Sequence, residues 1–318
     1  MDVTRVANRL ASEIIDRYVF PDTATQIAET LRARAGQLPP DIAPAELAPL
    51  LTQWAFEASN DRHLEVRYSP ARSDEVNADT RGDEFALERR HRARRANCGL
   101  ARIERLRGKV GLIELTSFFE PALSGDVIVA AMRIVADMHA LIVDLRGNRG
   151  GHPGTVALML TYFFDDSGER VHLNDLHLRE GDRTEQHWTL PYVPGPKFGP
   201  DKPLYVLISN ETFSAAEEFA YDLQSRERAT LIGETTAGGA HGGDRVRLDE
   251  RYTAFIPSGR AINPVTGTNW EGTGVTPDVP VLRDDALQVA HHMALRTLLE
   301  SNALDDELGA EATGALDA

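Results

Sequence analysis

The stretch Leu204-Tyr-Val-Leu-Ile-Ser-Asn-Glu-Thr-Phe-Ser214-Ala-Ala-Glu-Glu-Phe-Ala220 passes from an unbroken apolar run, through a polar turn, into a helix-forming segment. An apolar run without alternation reads as a strand buried on both faces, which needs helices on both sides of a largely parallel sheet. The same grammar recurs upstream. Residues 140–145 form a second apolar run, ending in the turn Asp144-Leu-Arg146-Gly-Asn148-Arg-Gly150-Gly151-His152. Residues 110–115 read as a strand, 125–138 and 155–164 as helices, and 215–224 as the helix after Ser214. Short strands follow at 230–232 and 253–256, then a closing helix at 285–303 with Leu287, Ala290, Ala294 and Leu298 on one side. Strand–helix alternation of this kind predicts an α/β domain.

Nearer the N-terminus, Val6, Leu10, Ile14 and Ile15 recur at helical spacing, followed by Ile27 and Leu31. Residues 1–60 are therefore expected to be a small helical bundle, and 61–303 the α/β domain. At Leu64, Val66 and Tyr68 the pattern changes to the alternation of a half-buried strand. The acidic, Ala/Gly-rich residues 304–318 read as a disordered tail. The basic run Arg89-Arg90-His91-Arg92-Ala93-Arg94-Arg95 reads as a solvated face, because 49 acidic against 34 basic residues give a net charge of −15. That balance makes nucleic acid and anionic membrane poor partners. A single cysteine, Cys98, excludes an intramolecular disulfide framework and a thiolate zinc cage. No apolar stretch is long enough to span a bilayer and no secretory signal is visible, so a cytoplasmic location is expected.

Ser214 stands where a strand-to-turn segment enters a helix, where free amides and the positive dipole end favour a developing oxyanion. Taken alone, the segment better fits a plain N-cap with Glu217 completing a capping box, because Ser-x-x-Glu is common at helix starts. Gly150-Gly151 allow backbone amides to approach a substrate oxygen that a Cβ would obstruct. A phosphate-cradling loop competes with this, but neither G-x-x-x-x-G-K-[ST] nor GxGxxG after a first strand is present. His63 lies at a strand entry, and Gly238-Gly239-Ala240-His241 is a glycine-rich loop. Trp270-Glu271-Gly272 packs an aromatic and an acid into one turn. Each of these features is weak by itself.

Taken in order, they carry a resemblance. His63, Asp-Leu-Arg-Gly-Asn-Arg-Gly-Gly, Thr-Phe-Ser214-Ala-Ala-Glu-Glu-Phe, Gly-Glu-Thr-Thr-Ala-Gly-Gly-Ala-His and Glu-Gly-Thr-Gly-Val-Thr-Pro-Asp resemble the tail-specific (C-terminal processing) serine peptidases. Within that family the likeness is to the branch of the interphotoreceptor retinoid-binding protein repeats and the tricorn core, and it covers roughly residues 15–300. It implies a crotonase-like α/β core with a largely parallel sheet and flanking helices. Only 46 residues separate His63 from Val110, so the PDZ module of many relatives is expected to be absent. No lysine follows Lys202, so the family's Ser–Lys dyad cannot form.

Carried over residue by residue, the resemblance makes Ser214 the nucleophile, His63 its general base and Glu271 the supporting carboxylate. Ala215 with Gly150 or Gly151 supplies the oxyanion hole. The tricorn pattern has a serine before its histidine, where this chain has Arg62. His241 is the rival base, and Gly239 and Trp270 are candidates for the substrate pocket. The function implied is a serine peptidase acting on short or unfolded peptides, without metal or organic cofactor. Two other readings stay open: an apolar-ligand binder with a pocket lined by Phe118, Phe119 and Trp270, and another acyl-transfer enzyme such as a peptide ligase or esterase. The oligomeric state is not legible.

Overall fold

The structure is a computed structural model, which describes residues 3–39, 42–70, 87, 89–165 and 168–317. The chain forms two compact units. One draws on Met1–Ala86, Asp175–Glu185 and Gly239–Ile262, and the other on Leu87–Asn174, Gln186–Gly238 and Asn263–Ala318.

In the first unit, α1 (Val3–Arg17), α2 (Pro21–Ala35) and α3 (Pro44–Ser59) are the expected helices. Prolines at the first helical positions of α2 and α3 start them where an N–H would have no intrahelical partner. The helices do not make a core by themselves. Val6, Leu10, Ile14, Leu31 and Leu51 share one apolar cluster with Leu64 and Val66 of the β1 region and with Tyr252, Ala254 and Ile256. Those last residues lie on β10 (Tyr252–Pro257), the centre of an antiparallel sheet between β1 (Glu65–Tyr68) and β9 (Gly243–Arg247). The boundary expected at residue 60 therefore gives way to a unit assembled from three separated segments. The alternating residues of β1 need a partner, and the distant β9–β10 hairpin supplies it.

The second unit carries a mixed six-stranded sheet. β2 (Leu100–Leu106) runs antiparallel to β3 (Val110–Leu115), after which β3, β4 (Ala140–Asp144), β7 (Leu204–Ile208), β8 (Thr230–Gly233) and β12 (Val279–Pro280) are parallel neighbours. Every residue of β4 and β7 is buried, as their apolar runs require. On one face Leu112, Ile142, Leu207 and Ile232 meet Ala290, Ala294, Leu295 and Leu298 of α7 (Ala286–Glu300). Each such leucine or isoleucine side chain contributes about 1.5–3 kcal/mol on burial. The helices α4 (Pro121–Val135), α5 (Pro153–Thr161) and α6 (Ala215–Gln224) pack in sequence, with α4 also against β3 and α6 against β8. No described helix is long and apolar enough to cross a membrane.

The expectation of a disordered tail is corrected. Asp306–Leu316 is a helix, α8, whose N-cap Asp305 accepts the Leu308 N–H at 2.9 Å. Ala312 and Ala315 enter the core beside Leu295, and Glu311 takes a bidentate pair from Arg105 at 2.9 and 2.7 Å. Small residues that look like low complexity here permit close helix packing. Of the basic run, Arg89–Arg95 lies within the described residues and is mostly exposed, with Ala93 alone buried.

Candidate active site

The turns after β4 and β7 emerge side by side, because the two strands are parallel neighbours and both chains leave at the same edge. Crevices at the carboxyl ends of such strands are where open α/β sheets bind ligands. Here the two turns are stitched together. Thr212 donates its hydroxyl to Leu145 O at 2.9 Å, Ser209 to Arg146 O at 2.6 Å, and Phe213 N–H to Asn148 O at 3.1 Å. Arg146 closes its own turn with a bidentate pair to Asp144, at 2.9 and 2.6 Å, and donates to Arg283 O.

Ser214 caps α6 at φ 57° and ψ −124°. An ordinary N-cap residue is extended with negative φ; a non-glycine residue at positive φ is strained and persists only where its surroundings over-determine it. Those surroundings are close. A Cβ built on Gly150, which has φ +94°, would lie 2.7 Å from Phe213 O, 2.8 Å from Ser214 Cβ and 2.9 Å from Ala215 N. Only glycine lets the 148–151 backbone press against the serine. The Ser214 N–H donates to Glu217 Oε2 at 2.7 Å.

Among the sequence-expected oxyanion donors, the structure separates one from the others. Gly150 N–H is already given to Asn148 Oδ1 at 2.8 Å, so Gly150 provides the close approach rather than a donor. Ala215 N–H is at the first position of α6, where no intrahelical acceptor exists. Gly151 brackets Phe118 without using its own amide: Phe118 N–H donates to Gly150 O and His152 N–H to Phe118 O. Neither the Ala215 nor the Gly151 amide has a hydrogen-bond partner among the described residues. Asn148 Nδ2 is a further buried donor without a partner among them. Ala215 and Asn148 are buried, where an unmatched donor costs stability, whereas Gly151 is exposed.

Glu271 is half-buried in the same unit. Its turn is pinned by other atoms: Glu271 N–H goes to Asn269 Oδ1 at 2.9 Å, and Gly274 N–H to Trp270 O at 3.0 Å. Trp270 is buried against Tyr221, and Phe118 is stacked on Phe219 at 5.7 Å. Both aromatics are buried side chains.

His63 and His241 belong to the first unit and are arranged around one carboxylate. α3 ends on Asn60 in the left-handed conformation, and the chain folds back so that Asp61 Oδ1 accepts His63 N–H at 2.9 Å. Asp61 Oδ2 accepts the Tyr18 hydroxyl at 3.1 Å and faces His241 Nδ1 at 2.7 Å. Burial depresses the His63 imidazole to about 4, against a raising influence of Asp61 and with a lowering one from His241. At neutral pH it is therefore in the proton-accepting form. For Asp61, burial works upward, but the hydrogen bond and charge of His241 win and hold the carboxyl below its usual range. Gly239 is buried in the loop before His241. The Arg62 guanidinium lies over the Phe56 ring, 5.7 Å from its centroid.

A family model described as Peptidase family S41 matches residues 109–281, more than half of the chain. The chain belongs to peptidase family S41. The resemblance read from its ordered motifs is thereby borne out. This S41 chain is 28% identical over 191 residues to a carboxy-terminal-processing protease of Bartonella bacilliformis, covering 56% of the chain and 40% of the relative. It is 32% identical over 142 residues to a tail-specific protease of Haemophilus influenzae, covering 42% and 18%. The chain thus spans less than half the length of these curated relatives. Among solved structures, a putative peptidase from Parabacteroides merdae superposes with a TM-score of 0.63 at 15% identity, over 93% of this chain and 97% of that one. The tricorn protease gives 0.56 at 13% identity, over 91% of this chain and 35% of that one. These similarities establish a shared α/β fold.

Proposed function

We propose that the chain is a serine peptidase that cleaves short or unfolded peptides through an acyl-enzyme on Ser214. The observation that carries this reading is the serine's strained φ of 57° at the start of α6, with the Gly150 backbone pressed against it; two amides of the adjoining turns, Ala215 N–H and Gly151 N–H, have no hydrogen-bond partner among the described residues. A simple cap does not need the strain. Ser214 Oγ attacks the scissile carbonyl carbon while its proton passes to the histidine. The negative charge on the carbonyl oxygen is taken by the two amides. Collapse breaks the C–N bond as the imidazolium gives its proton to the leaving amine, and water repeats the cycle on the ester.

His63 is the proposed base, supported by its depressed, neutral imidazole. Glu271 is the proposed charge partner that stabilises the imidazolium. A second reading takes His241 as base, favoured by the Asp61 carboxylate at 2.7 Å from its Nδ1, the pairing that orients the imidazole in a triad. The parallel β4 and β7 with their stitched turns support a crotonase-like core. We also propose that no PDZ module interrupts the chain between His63 and Val110; residues 71–86 and 88 of that interval lie outside the described residues.

A fluorophosphonate probe tests the proposal. It should label the wild type and fail on folded Ser214→Ala. Labelling that survives the mutation moves the nucleophile elsewhere. An inert, folded wild type that takes up retinoid-like ligands favours the binding-protein reading. Between the bases, His63→Ala should cost more kcat than His241→Ala, and the reverse ranking gives the role to His241 with Asp61.

A further inference from the structure

Glu217 lies fully buried in the first turn of α6, and the capping-box reading accounts for only one of its contacts. Its Oε2 accepts the Ser214 N–H at 2.7 Å. Its Oε1 accepts the Thr236 hydroxyl at 2.5 Å and the Gly238 N–H at 2.7 Å. The Thr236 hydroxyl points its proton at Glu217 because its oxygen is occupied by the Val275 N–H at 2.7 Å. All three groups are donors, so a carboxylate, an acceptor on both oxygens, fits them and an amide does not.

The segment held by Oε1 is in turn fastened to the turn that follows Glu271. Thr236 N–H donates to Val275 O at 3.1 Å, and Gly272 N–H to Gly238 O at 3.1 Å. The two backbones touch: a Cβ on Gly274, at φ +74°, would lie 2.3 Å from Thr236 O. One carboxylate therefore sits between the backbone of Ser214 and the turn that carries Glu271.

We infer that Glu217 is a positioning residue, whose charge holds the Ser214 elbow in its positive-φ conformation and keeps the Glu271 turn in register with it. This rests on the reading of Ser214 as the nucleophile. Without the bond to Oε2, Ser214 relaxes toward an ordinary extended cap and its hydroxyl leaves the orientation that the Ala215 and Gly151 amides serve.

The test is Glu217→Gln, which keeps the shape but presents an NH2 to at least one donor. The expected result is a fall of about 100-fold in kcat and in the fluorophosphonate labelling rate, with KM changed little. A core variant of the same unit with an equal loss of Tm, such as Ile142→Ala, should keep its activity per folded molecule. Thr236→Val, which removes one of the two donors on Oε1, should fall between wild type and Glu217→Gln. A crystal structure of Glu217→Gln gives a second readout that needs no activity: Ser214 should leave positive φ. Folded Glu217→Gln with near wild-type kcat, or with Ser214 still near φ 57°, overturns the inference. An inert wild type whose Ser214 moves in the variant overturns only the nucleophile reading.

Discussion

Lowering the pH from 7 to 5 should destabilise the protein through His63 in particular. The folded-state value of about 4 lies below the ordinary 6.5, so the unfolded chain binds the proton more tightly than the native one. Stability from this group is complete above pH 6.5 and is lost as the pH falls toward 4. The difference of about 2.5 pH units corresponds to roughly 3 kcal/mol in full, and to about 2 kcal/mol already at pH 5. Exposure of only 9% for the residue makes solvent screening a small correction. Urea unfolding of the wild type and of His63→Gln at pH 7, 6 and 5 isolates the effect, because titrations common to both proteins cancel in the difference. The wild type should lose about 2 kcal/mol more than the variant between pH 7 and 5. Catalysis should report the same imidazole. If His63 is the base, the acid limb of kcat/KM should fall near pH 4 rather than 6.5. Parallel stability profiles in the two proteins, together with an acid limb near 6.5, would refute the reasoning.

Two further outcomes are expected. Gly150→Ala should cut kcat by about 100-fold and lower Tm, since its Cβ would lie 2.8 Å from Ser214 Cβ, whereas Gly147→Ala, whose nearest neighbour is Arg283 Nη2 at 3.9 Å, should be close to neutral; equal behaviour of the two in kinetics and thermal melts would remove the case for the close approach. Glu271→Gln should cost about 100-fold or more in kcat with Tm preserved, because Asn269 and Trp270 already hold the turn; a lowered Tm with full activity per folded molecule would make Glu271 a turn residue only.

The elements legible in the sequence are those whose neighbours do not matter. β3 and β7 coincide with their apolar runs, and α6 with the segment after Ser214, because burial on both faces writes itself as local composition. β2, β5 (His172–Leu178), β6 (Arg183–Trp188), β9 and β11 (Gly259–Ile262) are not legible as strands in the sequence. They carry Arg, Glu, Asp and His in half-exposed positions, so pairing rather than hydrophobic period defines them. The helix α8 was missed for a related reason: alanine and glycine signal close packing only when the opposing surface is known.

Of the candidate site, the motifs are legible in the chain alone: a serine at a helix start, a Gly-Gly turn after a buried strand, and two histidines and an acid in family order. Tertiary structure alone decided what each atom is free to do. It turned Gly150 from a donor into a contact, because Asn148 folds back onto its amide. It made Glu217 more than a cap by bringing Thr236 and Gly238 to its second oxygen. It also set His241 against Asp61 across 180 residues of chain. Spacing along the chain fixes which groups exist and which turn they share. Which hydrogen bonds consume them depends on segments brought together only by packing, and a hydrogen bond has no range beyond contact.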